Sequence, residues 1–298
     1  YNSVCGAYLV FIDRLAREVA EIHPNVKIFI FAYSYVHEAP QGLDLHENVM
    51  VNFCTDRACF SHAFNDPDCP KNVAMMEELR AWRAICDKGV IYDYGSNFSK
   101  PEALDPNPFV MLKNYRAMAD LGIYGYGPEI WTTNASDFDE LRLYLIRNVM
   151  WNPMMTDEEF DTLITEFMND YYGAAAPYVT EYRRATTEAS LTPGWWMDGT
   201  IEEKNGCTAM YTNQATFFNA YNEDGSKNTA FTSEMMELWS QAKNADLTEE
   251  QLTRVERTST HFYKWYYYYF PHASGKDRKA AYDYLVYLCN KFQLSVTA

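Results

Sequence analysis

The chain has 298 residues, enough for one barrel-sized domain or two smaller ones. Its hydrophobic fraction of 48% can fill a core, and no low-complexity tract points to disorder. A formal net charge of -16 argues against nucleic-acid binding, which needs clustered Lys and Arg, and no stretch reaches the roughly 20 apolar residues of a membrane span.

The first part alternates helix and strand. Residues 7–21 place Leu9, Ile12, Ala16 and Val19 on one helical face, and His23-Pro24 ends the helix. Val26 to Tyr35 is a near-continuous apolar run, as expected of a parallel strand buried on both faces. A second strand spans Asn48 to Cys54, and a helix follows over about 72–87. Val90 to Tyr94 forms a third strand, and a helix over about 108–120 stops at Gly122. Ile123 to Tyr126 is the fourth strand, and the glycines and proline of Gly125-Tyr126-Gly127-Pro128 turn the chain after it.

From about residue 136 the pattern becomes helical. Ser136 with Asp139 resembles a capping box, and Thr156-Asp157-Glu158-Glu159 is a better one. Helices are expected at roughly 136–150, 156–171 and 174–190, then a Gly-, Trp- and Asn-rich loop over about 191–227. Two or three further helices end the chain, the middle one capped by Thr248 with Gln251.

Alternating strands and helices predict a parallel sheet with helical crossovers, closed as a barrel or left open and doubly wound. No Gly-rich strand-to-helix turn of the dinucleotide type is present, and polar and aromatic residues collect after the strands' C-terminal ends. The expectation is therefore an α/β fold. Residues 1–150 would carry the later strands and helices of a TIM-like (β/α) barrel, and residues 151–298 an all-helical C-terminal region. The chain opens at Tyr1 with no initiator Met and no basic-then-apolar leader, and reads as a processed or trimmed piece or as one part of a longer protein. Four strands cannot close an eight-stranded barrel, so an exposed sheet edge or association with further strands is expected.

Three groups of residues carry candidate chemistry. In the first, Asp93 lies between Tyr92 and Tyr94 at a strand terminus, with Asn97 following; it can bind a sugar hydroxyl or cap the next loop. In the second, Glu129 and Trp131 follow the fourth strand, and a carboxylate that grips hydroxyls beside a ring that stacks suits a saccharide. The third is the run from Cys54 to Cys69. Arg57, His62 and Asn65 there could line a substrate pocket while the cysteines pack, and Tyr35 from the first strand's end is a further substrate-binding candidate.

Cys54, Cys59, His62 and Cys69 are the set that could hold zinc, but their spacing is poor for a zinc ribbon. No metal or other cofactor is expected, and a disulfide within the loop stays open. The chain has seven cysteines, so at least one thiol is unpaired within a monomer. Cys86 and Cys289 read as core residues on helix faces. Trp195-Trp196 is either a sugar platform or a loop anchor, and Tyr266 to Tyr269 reads as packing. Asn97-Phe98-Ser99 and Asn134-Ala135-Ser136 are glycosylation sequons only in a eukaryotic secretory setting.

The phrases GAYLVFIDRLAREVAE, NVMVNFCTDRACFSHAFNDPDC, GVIYDYGSNFS, LRLYLIRNVMWNP and FMNDYYGAAAPYVTEY resemble a bacterial family, the domain of unknown function numbered 4838, across about residues 5–180. That family is associated with barrel hydrolases similar to family-20 β-hexosaminidases and α-glucuronidases. The resemblance implies a secreted or cell-surface protein acting on or binding an oligosaccharide or polysaccharide, with barrel strands that would precede Tyr1. In β-hexosaminidase-like enzymes an acidic pair at the fourth strand protonates the leaving group, a position that would also precede Tyr1. A Tyr and Asp on a later strand, and a Trp-x-Glu on the last, hold the sugar. The resemblance assigns the former role to Asp93 with Tyr92 or Tyr94, and the latter to Glu129, although the order here is Glu-x-Trp. A glycoside hydrolase is the leading expectation, with Asp93 and Glu129 as its catalytic-site carboxylates, both orienting the sugar or one acting as base, and the general acid outside this chain. The alternative is a glycan-binding barrel module, or a fragment of a surface protein, without catalysis.

Overall fold

The computed structural model describes residues 3–95, 110–130, 135–136, 138–190, 229–268, 270, 272 and 274–295. The Asn97-Phe98-Ser99 sequon, Trp131, Asn134 of the second sequon, the Trp195-Trp196 pair and the loop over 191–227 lie outside the described residues. Two compact units result. One holds the described residues through Gly95 with Val110–Ile130, and the other holds those from 135 onward.

The first unit is a four-stranded parallel sheet in the order β1 (Ile28–Ala32), β2 (Val49–Cys54), β3 (Gly89–Tyr94), β4 (Gly125–Glu129). Strand order follows chain order, as successive crossovers of one hand produce. The helix α1 (Val4–Ile22) starts where the Ser3 hydroxyl accepts the Gly6 N–H at 2.9 Å. It buries Leu9, Ile12 and Ala16, and the buried Asn48 side chain donates to the Ala16 carbonyl just before β2. The helix α2 (Pro70–Ile85) opens with Pro70 in its first turn, where the lost N–H is harmless, and buries Met75, Met76, Leu79 and Trp82. The helix α3 (Met111–Asp120) ends in a Schellman motif. Gly122, at φ +67°, donates to Ala119, and Ile123 donates to Met118.

Two strands differ from expectation. β1 stops at Ala32 because Tyr33 leads into a 3-10 turn over Ser34–Val36, with Ser34 in the left-handed region at φ 54°. β4 begins and ends later than the hydrophobic run suggested. Gly125 to Glu129 pairs residue for residue with Val90 to Tyr94, so the Gly-Tyr-Gly-Pro-Glu segment is strand, not turn. Among the described residues β4 pairs only with β3, and a proline at such an edge leaves no ladder partner unsatisfied.

The register gives the sheet two unlike faces. Ile30, Val51, Phe53 and Ile91 share one face and are buried. Helices cover it: Phe53 packs on the His37 ring, whose backbone carbonyl accepts from the Trp82 indole of α2, and Tyr126 stacks on Tyr115 of α3 at 4.0 Å. Phe29 and Phe31 point the other way and stay 57% and 48% exposed, so β1 is buried on one face and not on both as its apolar run suggested. Asn52, Tyr92, Tyr94 and Glu129 share that second face by register.

The second unit contains α4 (Asp139–Trp151), α5 (Asp157–Tyr172), α6 (Ala176–Ser190), α7 (Thr229–Asn244), α8 (Glu249–Tyr268) and α9 (Gly275–Phe292). The reciprocal Thr156–Glu159 capping box is present on α5, and Thr248 and Gln251 form the same pair before α8. Ser136 is not the cap of α4, which starts three residues later behind Phe138, at φ 47°. α8 buries a continuous run from Thr258 to Trp265, and Tyr172 and Tyr182 reach its Thr258 and His261 with hydroxyl contacts of 2.9 Å each. Tyr266 stacks on Phe262 and Phe270, in keeping with a packing role.

Candidate functional site

The strand-end acids part company in the folded chain. Asp93 pairs in register with Pro128, so its side chain shares the helix-covered face with Tyr126. It is 5% exposed. One carboxylate oxygen accepts the Thr55 hydroxyl at 2.6 Å, and the other accepts the Tyr126 hydroxyl at 2.7 Å. Thr55 Oγ1 also accepts the Tyr94 backbone N–H, so β2, β3 and β4 are tied through this one carboxylate and its neighbours. Burial and the Asp93 charge push the Tyr126 hydroxyl well above its usual pKa, which keeps it a donor.

Glu129 pairs with Tyr94 and lies on the opposite face. The Tyr92 hydroxyl donates to Glu129 Oε2. That carboxylate, with partial burial, pushes the Tyr92 hydroxyl up to about 12. Phe31, Tyr92 and Tyr94 form an edge-on aromatic row, with centroids 5.6 Å and 5.5 Å apart in sequence, across the C-terminal half of the sheet. Beside them Cys54 shares a hydrogen bond with Tyr94, and burial pushes its thiol up to about 12. A half-buried carboxylate held by a phenol and flanked by ring faces and edges can bind hydroxyls while apolar C–H groups lie on the rings.

Tyr35 and Arg57 line a cleft of about 630 Å³ with Ser3, Glu38 and Gln41. Tyr35 is 72% exposed there, while Arg57 lies 3.3 Å from Glu78. His62 is elsewhere in the same loop, with Nδ1 3.3 Å from Cys59 Sγ, a contact that raises the imidazole pKa. The four-residue metal set is only partly assembled. Cys59, His62 and Cys69 bring their ligand atoms within 4.8 Å of one another, whereas Cys54 is engaged with Tyr94. Asn97 and Trp131 lie outside the described residues.

The structure also assembles a group that sequence reasoning passed over. His37, fully buried, has Nδ1 2.6 Å from Glu78 Oε2 and Nε2 3.3 Å from Asp56 Oδ1. Its ring rests on Phe53, and its carbonyl accepts the Trp82 indole N–H at 2.6 Å. The available signal was periodicity: Glu78 and Trp82 are four residues apart, hence on one face of α2, and both meet His37.

No curated protein and no solved structure matches the chain. A family model does, over residues 1–184, well over half of the sequence. The chain therefore belongs to the family described as a domain of unknown function (DUF4838).

Proposed function

We propose that this chain contributes the sugar-facing part of a carbohydrate-active, glycoside hydrolase-like protein, with Glu129 as the polar anchor for a hexosaminide or glucuronide ring. The observation that carries the proposal is the Tyr92 hydrogen bond to Glu129 within the Phe31–Tyr92–Tyr94 aromatic row, at the C-terminal ends of neighbouring parallel strands. Parallel β/α enzymes place their ligands at that end. On this proposal the sheet is part of a (β/α) barrel in a secreted or cell-surface protein, and the Phe29, Phe31 and Tyr92 face is the barrel interior. The one-directional strand order and the helices on the other face support that assignment.

Glycoside hydrolysis requires a second carboxyl group or a substrate amide facing the first. Among the described strand residues, Glu129 is the one carboxylate on its face. A general acid would then come from outside these strands, and Asp93 serves as a tie that positions β3 and β4. The same observation favours a second reading, glycan binding without hydrolysis.

Aryl β-N-acetylhexosaminides and aryl glucuronides test the proposal in the intact protein. Turnover that falls by a factor of about 100 or more in Glu129→Gln supports the hydrolase. Glycan binding without turnover, weakened by Glu129→Gln, supports the binding module. Turnover or binding that Glu129→Gln leaves unchanged removes Glu129 from the site and defeats both.

A further inference from the structure

The loop between β2 and α2 contains a cluster that the sugar site does not use. Cys59 and Cys69 are buried, His62 is half-buried, and their ligand atoms all lie within 4.8 Å of one another. We propose that Cys59 Sγ, Cys69 Sγ and His62 Nδ1 form a zinc site with three protein ligands and a fourth position open to solvent. It is independent of the sugar-site proposal.

Three observations support zinc at this place. Zinc bonds of about 2.3 Å to sulfur and about 2.0–2.1 Å to nitrogen put tetrahedral ligand atoms roughly 3.5–3.8 Å apart. Cys59 Sγ and His62 Nδ1 are already 3.3 Å apart, so side-chain shifts of under about 1 Å complete the geometry. The loop is also held in advance. Asn72, fully buried in the first turn of α2, accepts the Cys59 N–H at 2.7 Å, and its amide nitrogen donates to the carbonyls of Cys59, His62 and Ala63. One buried side chain thus fixes the backbone that carries two of the ligands, as supporting residues do around metal centres. Finally, Cys69 is the N-cap residue of α2. That position ties the third ligand directly to the first turn of α2, the same turn that carries Asn72.

Binding is charge-balanced without any redox partner. Zn(II) displaces one proton from each of the two thiols and takes the lone pair of neutral imidazole, releasing two protons to solvent. The role that follows is local. Zinc would close the Cys59–Cys69 loop and join it to the start of α2. The open fourth position is of the kind that elsewhere takes water or substrate.

The test uses the intact chain, reduced and stripped of metal, then given Zn(II) or Co(II) alone. The expected result is about one equivalent of zinc retained through gel filtration. Cobalt should give thiolate-to-metal charge-transfer absorption together with the intense visible bands of four-coordination. Cys59→Ser and Cys69→Ser should lose both signals, and His62→Gln should bind at least about tenfold more weakly. Cys86→Ser, which alters a buried thiol near β2 and β3, should keep them. If the Cys59 and Cys69 variants fail to fold, the cobalt spectrum of the unaltered chain decides. A reduced chain that retains no metal, a cobalt spectrum without thiolate bands, or a Cys59–Cys69 disulfide in the native protein overturns the proposal.

Discussion

Alternation along a strand separates two acids that sit at equivalent strand ends. Asp93 and Glu129 are one register step apart on β3 and β4, and that single step sends them to opposite faces. Asp93 spends its carboxylate on Thr55 and Tyr126, whereas Glu129 is met by Tyr92 on the face that keeps Phe29 and Phe31 exposed. Hydrogen bonds to a buried charge are worth about 1.5–3 kcal/mol each. Thr55→Val keeps the side chain's shape and removes one of them, so it should lower the urea unfolding free energy by about 2 kcal/mol. A loss under about 0.5 kcal/mol would mean that the Thr55–Asp93 contact is not a tie. Both acids were legible in the sequence as strand-end carboxylates. Their separation was not, because Gly125-Tyr126-Gly127-Pro128 reads as a turn and a loop residue has no fixed face.

At the scale of elements, the sheet's two faces make unequal demands. Phe53 is buried against the His37 ring, and Phe53→Ala should cost about 3–5 kcal/mol through lost burial and the cavity left behind. In the 298-residue chain by itself Phe29 is exposed on the opposite face, and Phe29→Thr should cost less than about 1 kcal/mol there. Denaturant unfolding of the two variants checks this, and equal losses would contradict the assignment of faces.

α8 supplies a pH prediction in the other unit. The Thr258 carbonyl can only accept, so His261 Nδ1 carries the ring proton, and Nε2 accepts from the Tyr182 hydroxyl at 2.9 Å. Complete burial pulls the imidazole pKa down to about 4, against 6.5 in an exposed chain. Between those values the unfolded chain binds more protons than the native one. Stability is therefore full above about pH 6.5 and falls by about 3 kcal/mol as pH drops toward 4. Unfolding midpoints across that window should slope less in His261→Gln than in the unaltered chain. Parallel slopes would show that other groups set the acid response. The helix itself was legible from the Thr248–Gln251 box. The burial of His261 was not, since α8 carries charged residues on either side of it.

For the whole molecule, the alternation of β1 to β4 with α1 to α3 was legible because a buried parallel strand is a short apolar run and each crossover helix has an apolar face. The change to an all-helical region near residue 136 was legible from caps and periodicity. What stayed hidden is three-dimensional: the clamp of His37 by Asp56 and Glu78, and which three of Cys54, Cys59, His62 and Cys69 come together. Local spacing weighed against a metal there because the ligands do not follow a ribbon's repeat, whereas Asn72 folds the loop back on itself.

The central proposal is that Glu129, not Asp93, meets the sugar, and a paired comparison tests it most directly. Turnover or glycan affinity is measured per folded molecule for Glu129→Gln and Asp93→Asn, beside the unfolding free energy of each. The expected result is that Glu129→Gln loses function by a factor of about 100 or more with stability nearly unchanged. Asp93→Asn should lose about 2 kcal/mol of stability and keep function within about tenfold. The opposite pattern, with Asp93→Asn inactive but stable and Glu129→Gln active, would contradict it.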